Sequence, residues 1–182
     1  GAAKNNKEDD SQIGDIVEVC PEGMLIAQDI SARIRQSSGA AIIIDYGSNQ
    51  GSADSLRAFS RHKQVHVLSH PGQVDVTADV DFLALKRSAE AISDNNNNDS
   101  NHSCDFHGPI TQGQFLASMG AVERVVKLIE SDDTTDKQAQ DLYSALERLI
   151  LPEHMGERYK VLAISSSKCS GNNTIPAGFT TP

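Results

Sequence analysis

The chain alternates between segments with a helical and segments with a strand-like hydrophobic pattern. In residues 24–35 the apolar positions recur at the spacing of a single helical face, which predicts an amphipathic helix. The positions that form this face are Ile26, Ala27, Ile30 and Ile34. Gly39 follows where a left-handed C-cap residue is expected, and residues 40–46 begin as a continuously apolar run. Such a run predicts a strand covered on both faces, so helix, glycine and strand together indicate half of a β–α–β unit.

Three further segments of the N-terminal half also suggest structure. Residues 16–19 are rich in β-branched side chains and predict a short strand. Residues 56–76 mix basic and apolar positions and predict extended structure with loops. Thr77 is placed to N-cap an amphipathic helix, with Asp79 and Asp81 in the first turn, where the helix dipole favours negative charge.

The C-terminal half predicts helices followed by a strand. Thr111 and Gln114 have the spacing of a capping box ahead of a short helix. Amphipathic patterns then follow in residues 122–129 and 139–150, and residues 159–164 predict a strand. The alternation of strands and helices indicates an α/β fold.

Polar segments set the expected domain limits. Residues 1–14 are charged and lack an apolar period, which predicts a flexible arm. Residues 94–103 contain four consecutive asparagines and predict a disordered insertion, and residues 165–182 form a polar tail. The domain itself is therefore expected to extend over residues 15–164.

Charge and cysteine content narrow the function classes. A length of 182 residues suits one domain, and the net charge of -9 argues against nucleic acid as a partner. No apolar run approaches the roughly 18 residues of a membrane span. The three cysteines lie far apart, which is typical of free thiols in a reducing compartment.

Candidate chemistry concentrates after the apolar strand. Asp45 and Tyr46 stand at its carboxyl end, the edge where ligands collect in open α/β sheets. The basic residues Arg57, Arg61 and His62 can pair with nearby aspartates, either as a structural ion-pair cluster or as a polar binding wall. A cysteine and two histidines in residues 102–107 offer a weaker alternative, a metal site, which competes with a plain surface loop.

Several blocks occur together in one order along the chain. They are VEVCP at residues 17–21, GAAIIIDYG at 39–47, DVTADVDF at 75–82, GPITQGQFL at 108–116 and MGERY at 155–159. In this order they resemble the MidA family of mitochondrial complex I assembly factors, which are protein arginine methyltransferases that use S-adenosyl-L-methionine. The asparagine-rich segment is an insertion relative to that family.

The resemblance implies a fold and a cofactor. The chain is expected to form the C-terminal portion of a Rossmann-like class I S-adenosylmethionine-dependent methyltransferase, with a helical insert. The family's glycine-rich cofactor loop and its ribose-binding acid belong upstream of this chain, so no cofactor-binding residue and no metal ligand is expected here. The implied location is mitochondrial, and the implied partner is a protein substrate, a complex I subunit.

The resemblance also implies roles for residues at the crevice, because carboxylates there would attract and orient a cationic arginine. The candidate catalytic residues are Asp45, Asp75 and Asp79. The candidate substrate-binding residues are Tyr46, Arg57, His62, Asp81 and Glu18. The alternative hypothesis is a non-enzymatic assembly module that binds a partner subunit through its amphipathic helices.

Overall fold

The computed structural model describes residues 16–51, 53–94, 103–167 and 175–180. Its N-terminal half contains α1 (Pro21–Ser37), β1 (Ala40–Ser48), β2 (Arg57–Ser60), β3 (Lys63–Val65), β4 (Asp75–Thr77), β5 (Val80–Asp81) and α2 (Phe82–Asp94). Its C-terminal half contains β6 (Cys104–Thr111), α3 (Gln112–Ser118), α4 (Ala121–Ile129), α5 (Asp136–Ile150), α6 (Met155–Arg158) and β7 (Tyr159–Ser166). The predicted arm and most of the predicted asparagine-rich insertion lie outside the described residues.

The main sheet has four strands in the order β5-β1-β7-β6. β5 is parallel to β1, whereas β7 is antiparallel to both β1 and β6. A separate sheet of three short antiparallel strands has the order β3-β2-β4 and is inserted between β1 and β5. The helices α3 to α6 lie between β6 and β7 and form the helical insert that the family resemblance implied.

The core lies between one face of the main sheet and the pair α1 and α2. Ala27 and Ile34 of α1 and Ala89 of α2 are buried against Cys104 and Ile164 of the sheet. All four residues from Val161 to Ile164 of β7 are buried, because this central strand has neighbours on both edges and covering groups on both faces. Burial of these aliphatic side chains is the main stabilising contribution that the described packing offers.

The predicted helices are largely confirmed. The predicted helix in residues 24–35 lies within α1, which begins at Pro21, where a proline loses no helical hydrogen bond. Thr111 forms the predicted capping box with Gln114, and a second capping box at Thr135 begins α5. No helix within the described ranges is long and apolar enough to cross a bilayer.

Two local predictions in the N-terminal half are wrong. Residues 16–20 form no regular element; Glu18 instead binds a distant loop, and no described strand lies beside them. The helix predicted to start at Thr77 starts at Phe82, and Asp81 Oδ1 accepts the Ala84 N–H at 2.9 Å as its cap. Pairing of β4 with β2 keeps Thr77 extended, so tertiary contacts override the local capping signal.

The prediction that β1 is covered on both faces is also wrong for the described part of the chain. Exposure alternates along the strand, so that Ile42 and Ile44 are 55% and 52% exposed while Ala41 and Ile43 pack towards α1 and α2. The outer face of β6 and β7 is covered by residues 175–180, where Phe179 contacts Phe115 and His107. That cover does not extend to β1.

Candidate functional site

A groove of about 780 Å³ opens along α1 and the edge of β1 opposite β7. Its floor is apolar and includes Ile26, Ile30, Ile42 and Ile44. Its rim, at the carboxyl end of β1, carries four carboxylates: Glu18, Asp45, Asp79 and Asp81. No lysine or arginine is among the described residues that line it, although Arg57 and Arg158 contact Asp79 from outside the lining.

Glu18 connects the segment before α1 to the loop after β1. Its carboxylate accepts the backbone N–H groups of Ser55 and Leu56, both at 2.9 Å, and the Ser55 hydroxyl. The Ser55 oxygen in turn accepts the Asp79 N–H at 2.8 Å. These donors hold the carboxylate against the loop after β1, so Glu18 acts in this structure as an anchor for the rim.

Asp79 is the centre of an ion-pair cluster. Arg57, the first residue of β2, donates to its carboxylate, and Arg158 Nη2 lies 4.0 Å from the same oxygen. The side chains of Arg57 and Asp79 are only 23% and 28% exposed. Of the two hypotheses for this segment, a structural ion pair is therefore what the structure shows for Arg57 and Asp79.

Tyr46 lies beside this cluster on the face of β1 that also carries Ile44. Its ring packs edge-on against Tyr159 at 5.6 Å, and the Arg158 guanidinium carbon lies 6.0 Å from the ring centroid. Burial raises the pKa of Tyr46, and the nearby Asp45 carboxylate raises it further. Tyr46 therefore keeps its O–H at neutral pH and can donate a hydrogen bond.

Asp45 and Asp81 have different roles at the rim. Asp81 caps α2 through the Ala84 N–H, so its carboxylate is partly satisfied within its own turn. Asp45 accepts the N–H of Tyr46 at 2.8 Å and lines the groove. With Glu18, Asp79 and Asp81 engaged by protein donors, Asp45 is the rim carboxylate best placed to meet a ligand cation.

Four of the predicted site residues are not part of the groove lining. Tyr46 and Arg57 contact residues that line it, whereas Asp75 and His62 lie on the small sheet and its hairpin. Asp75 is exposed on β4 opposite Phe59, and His62 is exposed at the tip of the β2–β3 hairpin. Arg61 and His62 both have positive φ, 50° and 63°, the backbone of a tight two-residue turn. Asp75 and His62 thus belong to the small sheet and its hairpin tip, respectively.

Sequence reasoning missed Ser55, Arg158 and Tyr159 as members of the site. Arg158 and Tyr159 belong to the MGERY block, which signalled a resemblance without indicating a role. They reach Tyr46 because β7 pairs with β1 in a register that sets Tyr159 opposite it. A contact between positions so far apart in sequence leaves no local pattern.

The alternative of a metal site receives no support from the described residues. No three His, Cys, Asp or Glu side chains come together as ligands in the ranges that the structure describes. Cys104 is buried in β6, its thiol lies 3.5 Å from the Ser31 carbonyl oxygen, and burial raises its pKa. His102, the first residue of the proposed metal site, lies outside the described residues.

Substitution of Asp79 by asparagine is expected to destabilise the fold by about 2 kcal/mol, because it removes the charge that compensates a largely buried Arg57. Urea denaturation measures this loss. The matched control is Glu90→Gln, which removes the more exposed Lys86–Glu90 pair and should cost about 0.5 kcal/mol or less. Equal losses in the two variants would contradict a central role for Asp79.

Comparison with known proteins identifies the chain's relatives. The model of a family described as "Putative S-adenosyl-L-methionine-dependent methyltransferase" matches residues 2–98. The protein arginine methyltransferase NDUFAF7, mitochondrial, of Danio rerio is 39% identical over 150 residues, which are 81% of this chain and 32% of that protein. The Homo sapiens protein of the same name is 36% identical over 150 residues, which are 82% of this chain and 31% of that protein. The chain thus spans about a third of the length of these relatives.

Solved structures show the same fold. An uncharacterized protein from Burkholderia thailandensis is 26% identical to this chain. The two structures align with a TM-score of 0.58 over 74% of this chain and 36% of that protein. A second crystal structure, of a likely methyl transferase from Burkholderia thailandensis bound to S-adenosyl-homocysteine, has a TM-score of 0.57 at 26% identity. The match covers 74% of this chain and 35% of that protein. These matches confirm the predicted α/β methyltransferase fold. Since the family model covers more than half of the residues, the chain belongs to this family of S-adenosyl-L-methionine-dependent methyltransferases.

Proposed function

We propose that this chain supplies the substrate side of an S-adenosyl-L-methionine-dependent protein arginine methyltransferase. The observation that carries the proposal is the carboxylate rim at the end of β1, in a chain whose relatives are named protein arginine methyltransferases. A guanidinium is a delocalised cation that carboxylates bind through charged hydrogen bonds. The rim therefore has the chemistry that a protein arginine substrate requires.

In this proposal Asp45 binds the substrate guanidinium and orients one of its nitrogens. When S-adenosyl-L-methionine is bound, it supplies the methyl group. Catalysis of such a transfer depends mostly on positioning and on electrostatic stabilisation of the reacting groups. Glu18, Ser55 and Asp79 are positioning residues, because they hold the rim segments against each other. Tyr46 offers a neutral hydroxyl next to the rim.

The cofactor, the location and the partner extend this proposal. Residues outside this chain are proposed to bind most of the cofactor, since the family resemblance places the glycine-rich loop and the ribose-binding acid elsewhere and the chain is about a third of its relatives' length. A mitochondrial location is supported by the relatives' names, which include the word mitochondrial. A complex I subunit is the proposed substrate, on the family resemblance drawn from the sequence blocks.

A chimera tests the function. In the Danio rerio relative, the 150 matched residues are replaced by this chain, and mass spectrometry measures arginine methylation in a mitochondrial extract that lacks the relative's own activity. We expect methylation that requires S-adenosyl-L-methionine. Asp45→Asn should lower kcat about 100-fold, the scale of removing one well-placed electrostatic group. Asp132→Asn, an exposed change in the loop after α4, is the control and should leave the rate unchanged.

Two results would count against this proposal. A chimera that binds a partner subunit without methylating it would favour the assembly-module alternative, which draws on exposed apolar residues of the insert such as Val126, Leu128 and Tyr143. Full activity in Asp45→Asn would remove that carboxylate from substrate binding. In both cases circular dichroism must show that the variants are folded.

A further inference from the structure

The hairpin that joins β2 to β3, with the loop after β3, carries a basic surface on an acidic chain. Residues 56–74 contain two arginines, one lysine and three histidines but no aspartate or glutamate, whereas the whole chain has a net charge of -9. The exposed basic side chains of this segment form the hairpin surface: Arg61, His62, Lys63, His66 and His70. A local concentration of basic groups of this kind attracts anions.

Two of these cations have no carboxylate partner among the described residues. Arg57, the remaining basic residue of the segment, pairs with Asp79. Arg61 and Lys63 form no ion pair within the ranges that the structure describes. Asp75 lies on β4, which β2 separates from β3. The charges of Arg61 and Lys63 are therefore open to a binding partner.

The backbone of the hairpin surface is strained where three of its side chains stand. Arg61, His62 and His70 have positive φ, 50°, 63° and 43°. This left-handed backbone is unfavourable for a residue with a Cβ, and Asn or Gly would adopt it at lower cost. Basic side chains at such positions do not stabilise the turns, and strained backbone of this kind is concentrated at binding sites.

The hairpin surface also presents one large apolar side chain. Leu68 is 78% exposed and stands between His66 and His70 in the sequence. The turn that presents it is closed by two hydrogen bonds, from the Ser69 N–H to the His66 carbonyl oxygen at 2.9 Å and from the Leu68 N–H to His66 Nδ1 at 3.2 Å. A partner of the hairpin surface therefore meets cations and an aliphatic contact on a preorganised loop.

An acidic protein segment fits this surface better than a membrane or a nucleic acid does. Attraction to an anionic bilayer is typical of clusters of about four to eight lysines or arginines, whereas the hairpin surface has only Arg61 and Lys63. A bilayer or a nucleic acid is also an extended polyanion, which the rest of a chain with a net charge of -9 repels. A short peptide segment needs to meet the hairpin surface alone.

Strand β2 sets the distance between the hairpin surface and the carboxylate rim. Arg57 begins β2 at the rim, where it binds Asp79, and Arg61 follows directly after the four residues of this strand. An extended strand advances about 3.3 Å per residue, so Arg61 lies roughly 13 Å along the chain from Arg57. An extended peptide spans the same distance in about four residues.

We propose that the hairpin surface binds an acidic segment of the protein substrate, about four residues from the arginine that enters the rim. Carboxylates of that segment pair with Arg61 and Lys63. Cations at the hairpin and carboxylates at the rim discriminate against an arginine without acidic neighbours and fix how the substrate lies. The inference rests on the proposed function, because it takes the rim as the place of the target arginine.

Fluorescence anisotropy with three labelled peptides tests this proposal on the chimera in which this chain replaces the matched residues of the Danio rerio relative. Each peptide has a single arginine among serines and alanines. The first has glutamate at the fourth and fifth positions on both sides of the arginine, the second has glutamine there, and the third has its glutamates directly beside the arginine. We expect the first to bind at least about tenfold more tightly than the other two, because only its carboxylates reach Arg61 and Lys63 while its arginine occupies the rim.

A matched pair of double variants locates the contact. Arg61→Glu with Lys63→Glu should abolish the preference for the first peptide. Lys127→Glu with Lys137→Glu changes the net charge by the same amount at exposed positions of α4 and α5 and should keep the preference. Circular dichroism shows whether the variants are folded, and the comparison of peptides on the unaltered chimera tests the proposal without any variant.

Three results would overturn the inference. One is equal binding of the three peptides, and another is loss of the preference in both double variants, since overall charge then drives binding. The third is binding of the chimera, through Arg61 and Lys63, to vesicles of phosphatidylcholine and phosphatidylserine but not to the first peptide. A chimera that keeps the peptide preference without methylating any arginine would count against the proposed function alone. Methylation without the preference would count against this inference alone.

Discussion

Replacement of Gly156 by alanine should destabilise the protein by about 3 kcal/mol or more, the upper range for overpacking a fixed interior. A Cβ at this position would lie 2.0 Å from the Ile150 carbonyl oxygen and 2.7 Å from that of Leu151. Both neighbours are backbone atoms, so relief requires α6 to move away from the end of α5 rather than a side chain to rotate.

Chemical denaturation and calorimetry measure this effect. A loss of this size corresponds to a fall in Tm of roughly 6–12 °C for a chain of this length. The control is Gly72→Ala, which also adds one methyl group but meets no atom within 4 Å and should cost only about 1 kcal/mol, from its positive φ. If Gly156→Ala unfolds with the same free energy as the control, the close approach of α5 and α6 is not tight in solution. The substitution also bears on the site, because α6 ends in Arg158, which reaches Asp79.

Gly47→Ala is expected to have a comparable effect, about 3 kcal/mol, and to open the rim of the groove. Its Cβ would lie 2.1 Å from the Val80 carbonyl oxygen and 2.8 Å from the Val80 nitrogen. Gly47 is paired with Val80 where β5 joins β1, so the added methyl group would force the two strands apart. Asp79 and Asp81, on either side of Val80, would move with β5.

The readouts for Gly47→Ala separate stability from geometry. Denaturation gives the free energy, and hydrogen exchange should show lost protection in residues 78–84 and little change in α5. Ser48→Ala is the neighbouring control; it removes one exposed hydroxyl that accepts the Gln50 N–H and should cost about 0.5 kcal/mol. Unchanged exchange near β5 in Gly47→Ala would show that the strand tolerates a side chain there.

The elements that the sequence predicted correctly are those with strong local signals. The periodicity of α1 and the capping box at Thr111 depend on residues within a few positions of each other. β6 was missed because its residues mix polar and apolar side chains and contain Gly108 and Pro109, which do not predict a strand. β6 exists because β7 pairs with it along most of its length, a contact that no local window contains.

The candidate site also has a part that local sequence predicts and a part that depends on distant contacts. The aspartates and Arg57 could be proposed from the sequence because they are concentrated after the apolar strand. Their separation into anchors and one less engaged carboxylate depends on Ser55, Arg158 and the cap at Ala84, which come from three other parts of the chain. Asp75 and His62 lie near the other candidate residues in sequence, yet the fold does not place them in the groove lining.

The position of β7 has a consequence for how the protein is made. This strand is the last element of the main sheet in sequence, yet it lies between β1 and β6 in the sheet. While the ribosome is still synthesising the insert, β1 and β6 are both complete, but the strand that lies between them in the folded sheet is not. Until Ser166 has emerged, a nascent chain therefore exposes the edges of β1 and β6 with which β7 later pairs, and such edges are sites for chaperone binding.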